Sequence, residues 1–228
     1  MIPAVVSRFV ADVQANFPAI SGKIESYARE LSADGARYQE AADHIFGLVD
    51  GIAKRRGWDR QEVLDYYADF VIEYLREQER FVSTGVFSNE GRTFEDIRAE
   101  IYDNDEHMLG YMVGLFISYV IFPHHYAQYR FYVDQFLPLI PSDGQCVEFG
   151  CGHGFFMSET LRLGPGRHVE GYDVSAAALR LAEDLLAVAR VPADRTVLSL
   201  DDVVTKDLPR PVYHGMTAAG LLEHIADP

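Results

Sequence analysis

The chain has 228 residues, 48% of them hydrophobic and 12% aromatic, which is enough apolar side chain for one large or two small packed domains. Twenty Lys and Arg against 35 Asp and Glu give a net charge of −15, spread along the whole chain, a field that repels phosphate backbones and argues against nucleic acid as a partner. Two cysteines, Cys146 and Cys151, are too few for a disulfide framework and lack metal-site spacing. The first residues lack the charged-then-apolar pattern of a secretion signal, so cytoplasmic residence is expected.

The first 140 residues read as helices. Amphipathic stretches are expected over 3–17 and 20–31. A third covers 34–56, with Tyr38, Ala41, Ile45, Leu48 and Ile52 on one face and Gly57 as a stop. Asp59 with Glu62 reads as a capping box. The helix it opens carries Val63, Tyr66, Tyr67, Phe70 and Tyr74 as an apolar stripe. Gly85, Ser88, Asn89 and Gly91 mark a loop over 84–92. A helix capped by Thr93 is expected to run to about 121, and a ring-rich one to span 124–137. The apolar run Met108–Phe122 is 15 residues and stops at Pro123, short of the roughly 20 a membrane span needs, so a buried helix is expected there and no membrane partner.

The pattern changes near Pro138–Pro141. Strands are expected at 146–149, 167–172, 196–200 and 212–218, with helices at 155–163 and 176–190, the second capped by Ser175. Strands separated by helical runs imply a parallel sheet with crossover helices. The expectation is therefore an all-α domain over 1–140 and an α/β, Rossmann-like, doubly wound and mostly parallel domain over 141–228.

The informative segment is Val147-Glu148-Phe149-Gly150-Cys151-Gly152-His153-Gly154-Phe155, a strand, a turn with glycine at alternate positions, then a helix. Such a turn lets a ligand approach the backbone, and the helix beyond offers unpaired N–H groups. The dinucleotide fingerprint G-x-G-x-x-G would put glycine at 155, where Phe155 stands. The spacing instead resembles motif I of the class I S-adenosylmethionine-dependent methyltransferases, (D/E)-x-G-x-G-x-G. Gly171-Tyr172-Asp173-Val174-Ser175, Leu200-Asp201-Asp202 and Leu222-Glu223-His224-Ile225-Ala226-Asp227-Pro228 are similar to later motifs of that family, in the same order.

The resemblance implies S-adenosyl-L-methionine as cofactor, S-adenosyl-L-homocysteine as product, and a small-molecule acceptor. Gly150, Gly152 and Gly154 would pass beside the methionine part and the sugar, and Glu148 would anchor the turn or meet the amino end. Asp173, with Val174 beside it, would take the ribose hydroxyls, and one of Asp201 and Asp202 the adenine amino group. Arg130 is a candidate partner for the cofactor carboxylate. His124 or His125 is a candidate general base, needed only if the acceptor must lose a proton. No metal site is expected. His214 stands where the family often has an acid, and the family's sheet has three more strands, so roughly another hundred residues are expected to complete it. The helical domain is expected to cover the substrate and to offer a homodimer interface. The rival readings are a non-catalytic cofactor-binding or helical interaction module, and a nucleotide-dependent oxidoreductase.

Overall fold

The computed structural model describes residues 1–86, 91–205 and 213–221. The chain divides into two compact units, Met1–Thr93 with Gly110–Tyr129, and Phe94–Leu109 with Arg130–Pro228. The cut after Tyr129 falls before the Pro138–Pro141 change in pattern, and Phe94–Leu109 groups with the second unit.

The first unit is helical: α1 (Ala4–Asn16), α2 (Pro18–Leu31), α3 (Ala36–Arg56) and α4 (Arg60–Thr84), followed by the later turns of α6 (Asp105–Ser118) and most of α7 (Pro123–Phe131). Its core is the stripe the periodicity marks. Tyr38, Ile45 and Ile52 of α3 and Val63, Tyr67 and Phe70 of α4 are buried, with Val6, Phe9 and Val13 of α1 against them. The capping box forms: the Asp59 carboxylate accepts from the Gln61 and Glu62 amides, and Glu62 accepts from the Asp59 amide at 2.7 Å. A Cβ on Gly114 would overlap the Phe70 side chain, so α6 crosses α4 at the closest approach glycine permits.

Two expected helices are broken. The one expected over 93–121 splits into α5 (Phe94–Ile97), a wide π turn over Arg98–Tyr102, and α6. Asn104 accounts for the restart: its side-chain oxygen accepts from the His107 amide at 3.2 Å, an N-cap in mid-run. The helix expected over 124–137 ends as α7 at Phe131, widens into a π turn over Tyr132–Phe136 and closes in a 3₁₀ turn at Leu137–Leu139, where Pro138 has no N–H to continue the ladder. Among the described residues no single helix is long and apolar enough to cross a membrane.

The second unit holds β1 (Gln145–Phe149), α8 (Phe155–Arg162), β2 (His168–Asp173), α9 (Ala176–Val188), β3 (Thr196–Leu200) and β4 (Gly215–Thr217). The four strands are all parallel, in the order β3-β2-β1-β4. The chain winds outward from β1 to β3 and then returns to β4 on the other side of β1, the reversal of a doubly wound Rossmann-like sheet. In such sheets the ligand crevice lies beyond the carboxyl ends of the strands at the reversal, here β1 and β4.

β4 is shorter than expected because its pairing stops at Cys146–Glu148. His214 begins it: the His214 amide donates to the Gln145 carbonyl at 2.7 Å, and the Gln145 amide donates to His214 Nδ1 at 3.1 Å. The imidazole nitrogen thus supplies an acceptor at the start of β1. Arg167, just before β2, is 5% exposed and donates to the carbonyls of Pro141, Thr160, Leu137 and Ile140, pinning the segment that precedes β1 to the end of α8.

Candidate functional site

β1 runs buried to Glu148 and breaks at Gly150. Gly150, Gly152 and Gly154 all have positive φ, at 66°, 51° and 71°. A Cβ at Gly154 would stand 2.9 Å from that of Ala182, so this third glycine serves the packing of the turn on α9. It is not needed for ligand approach alone. Gly150 abuts Leu221, which follows β4, and a Cβ at Gly150 would lie 3.2 Å from its side chain. The His153 ring accepts from the Phe155 amide at 3.2 Å and caps the start of α8.

Asp173 ends β2 and is 8% exposed. Its Oδ2 accepts from the Gly152 amide and its Oδ1 from the Ser175 amide, both at 2.8 Å, and the Val174 amide also supports it. Its main-chain carbonyl accepts from the Asp201 amide at 3.0 Å. Ser175 then caps α9 through the Ala178 amide. Burial raises the Asp173 pKa, and the Ser175, Gly152 and Val174 amides oppose that rise. Asp201 and Asp202 follow β3 at the same edge, and Asp202 accepts from the Val204 amide at 2.9 Å.

Glu148 is 4% exposed, and one carboxylate oxygen, Oε2, has no hydrogen-bond partner among the described residues. Burial pushes its pKa up to about 8; the Met157 amide in the first turn of α8 pulls it back, and the Asp173 charge adds to the rise. No basic side chain among the described residues pairs with Glu148 or Asp173. The Cys151 thiol is pushed well up by burial and by the Asp173 and Glu148 charges, which favours the protonated thiol. Tyr132 packs nearby in the same unit, stacked on Phe156 at 4.4 Å and bonded to Thr160 Oγ1 at 2.5 Å, and the Glu148 charge raises its pKa further after burial.

The turn, Glu148, Asp173, Val174, Asp201 and Asp202 therefore gather at one edge of the sheet, as their spacing suggests. The remaining expected residues stand otherwise. Arg130 is bidentate to Asp134, at 2.6 and 3.2 Å. His124 and His125 belong to the helical unit, their rings 4.2 Å apart. Ser118 Oγ donates to the Leu115 carbonyl and lies 2.6 Å from His125 Nδ1. The single hydroxyl proton is thus used, so Nδ1 carries the imidazole hydrogen and Nε2 is left as the basic nitrogen. Burial, then the neighbouring His124, lowers the His125 pKa to about 3. Glu223, His224 and the rest of the last expected motif lie outside the described residues. Among those described, no three His, Cys, Asp or Glu side chains gather to hold a metal ion. Arg167 and Tyr132 carry no motif, and only their burial in the fold brings them forward.

No protein-family profile and no curated protein matches the chain. Solved structures that resemble it include the following three. Geranyl diphosphate C-methyltransferase from Streptomyces coelicolor A3(2), solved with Mg2+, geranyl diphosphate and S-adenosyl-L-homocysteine, is 19% identical over 67% of this chain and 54% of its own, at a TM-score of 0.38. The S-adenosylmethionine-dependent methyltransferase SibL in its apo form is 15% identical over 68% and 48%, at 0.37. Human N-acetylserotonin methyltransferase in complex with SAM is 17% identical over 70% and 40%, at 0.33. The chain spans about half the length of these proteins, between 40% and 54%. At these identities and TM-scores the likeness assigns no chemistry to this chain.

Proposed function

We propose that the chain binds S-adenosyl-L-methionine at the carboxyl edge of its sheet and takes part in methyl transfer to a small-molecule acceptor. One observation carries the reading: a buried carboxylate oxygen of Glu148 that has no hydrogen-bond partner and no cation beside it among the described residues, at the foot of a turn with three left-handed glycines. A buried acid in that state asks for a cationic ligand group. When bound, the cofactor supplies a methyl group on an electrophilic sulfonium.

The chain's own residues bind and orient. Glu148 meets the amino end. The backbone of 150–154 lines the path of the methionine part and sugar, and Asp173 offers its remaining lone pairs to the ribose hydroxyls. Asp201 or Asp202 takes the adenine amino group, and the acidic rim suits a positively charged ligand. Arg130 reaches the cofactor carboxylate by leaving Asp134. Where the acceptor carries a proton, His125 Nε2, the ring nitrogen left as acceptor by the Nδ1 contact with Ser118, takes it, as a weak base because burial and His124 lower its pKa. Direct displacement at the methyl carbon needs little else beyond alignment and exclusion of water. The same reading has the helical region over 1–140 covering the substrate and forming a homodimer interface, in the cytoplasm, with no membrane or nucleic-acid partner and no metal.

Calorimetric titration with S-adenosyl-L-methionine, S-adenosyl-L-homocysteine and NADH tests it. Saturable binding of the first two and none of NADH is expected. Binding of NADH alone would turn the reading to an oxidoreductase. Saturable binding without turnover on a panel of small acceptors would leave a non-catalytic cofactor-binding module.

A further inference from the structure

The Asp173 carboxylate is committed to main-chain amides before any ligand arrives. Oδ2 holds the Gly152 amide of the β1–α8 turn and Oδ1 the Ser175 amide of the β2–α9 turn, both at 2.8 Å. The main-chain carbonyl of the same residue holds the Asp201 amide, just past β3, at 3.0 Å. The Cys151 amide donates to the neighbouring Tyr172 carbonyl at 3.0 Å and extends the same seam. Three successive strand ends thus converge on one residue that is 8% exposed.

We infer that Asp173 is a positioning residue: its carboxylate fixes the conformation of the glycine turn in the ligand-free protein, and so sets affinity for any ligand that lies along that turn, whether or not the ligand has ribose hydroxyls. The inference rests on the cofactor reading above only for the identity of the ligand. The turn needs such a tie. Gly152 has φ of 51° and, like its two glycine neighbours, a wide choice of backbone conformations. Without an anchor that freedom is lost only on binding, at the ligand's expense. A carboxylate suits the task because it accepts on both oxygens at once, and charge-assisted bonds to N–H groups are the stronger kind. An amide of the same shape accepts on one oxygen only, so Asp173→Asn must release either Gly152 or Ser175.

The first test is on the ligand-free protein. In Asp173→Asn the exchange of the Gly152 or Ser175 amide with deuterium should quicken about tenfold or more, the loss of one charge-assisted hydrogen bond, while amides in β1 and α8 keep their rates. Unchanged rates at both amides overturn the inference. Should the variant fail to fold, the wild-type protein decides: scalar coupling through the hydrogen bond between the Gly152 nitrogen and the Asp173 carboxyl carbon is expected, and its absence overturns the inference. The second test uses S-adenosyl-L-homocysteine and its analogue lacking both ribose hydroxyls. The analogue should lose affinity on Asp173→Asn by about fivefold or more, since the turn must then be ordered on binding. If the analogue binds both proteins equally, Asp173 acts through the ribose alone and the inference fails. If wild type binds neither ligand, it is the cofactor reading that fails, and the exchange rates still answer for Asp173.

Discussion

Glu148 makes the stability of this protein fall as pH rises through the neutral range. Its carboxyl titrates near 4.5 when unperturbed and at about 8 in the fold, because burial disfavours the charged form. Between those values the folded state holds a proton that the unfolded chain has released. The folded state is therefore favoured at low pH, and this contribution drains away as pH climbs towards 8. Each pH unit traversed is worth about 1.4 kcal/mol, so by pH 7 wild type has lost about 3 kcal/mol of it. Glu148→Gln keeps the neutral shape at every pH. Urea unfolding of both proteins at pH 4.5, 5.5, 6.5 and 7 should show the variant gaining on wild type by about 3 kcal/mol across the series. The other carboxylates are common to both proteins and cancel. A constant difference between the two proteins over that range would mean that Glu148 is ionised and partnered in the fold, and the argument for a waiting cationic ligand would go with it.

Three further outcomes follow from the packing. Gly154→Ala should cost about 2–4 kcal/mol, from the left-handed φ of 71° and the 2.9 Å approach to Ala182; adding Ala182→Gly should return the packing share, and strictly additive unfolding energies would refute the contact. Arg167→Met should cost about 3–5 kcal/mol by stranding buried carbonyls, and Arg167→Lys should restore less than half, since an ammonium cannot reach four carbonyls; a loss under about 1 kcal/mol in urea would show the guanidinium to be dispensable. The His125 ring should stay neutral in NMR titration from pH 8 to pH 5, as the Nδ1–H form, because burial holds its pKa at about 3; a midpoint near the ordinary 6.5 would show that the ring is hydrated in solution and refute its burial.

Much of the fold was legible because its signals are local. The α3 stripe, the Asp59–Glu62 box and the Ser175 cap each depend on residues within a few positions of one another and form as expected, while of the α4 stripe Val63, Tyr67 and Phe70 are buried and Tyr66 and Tyr74 only half-buried. The edges of the glycine-turn site were legible for the same reason: strand, turn and helix are contiguous. What the sequence hid is long-range. The exception is Asn104, a local cap in the polar stretch 103–107 that restarts a helix already opened at Thr93. Arg167 looks like an ordinary strand-flanking cation until the fold brings Leu137, Ile140 and Pro141 to it. Asp173 reads as a ligand acceptor by position, and only the folded turn reveals the amides it already holds. His214 carries no local signal for its part, and only the folded sheet brings its ring nitrogen to the Gln145 amide at the start of β1.

The most direct trial is diffraction from crystals of this protein grown with S-adenosyl-L-homocysteine. Density for the adenosyl group along residues 150–154, with the amino end against Glu148, is the predicted result. A turn with the same conformation, the compound absent or seated elsewhere, and the Glu148 oxygen met by another protein group would contradict the account.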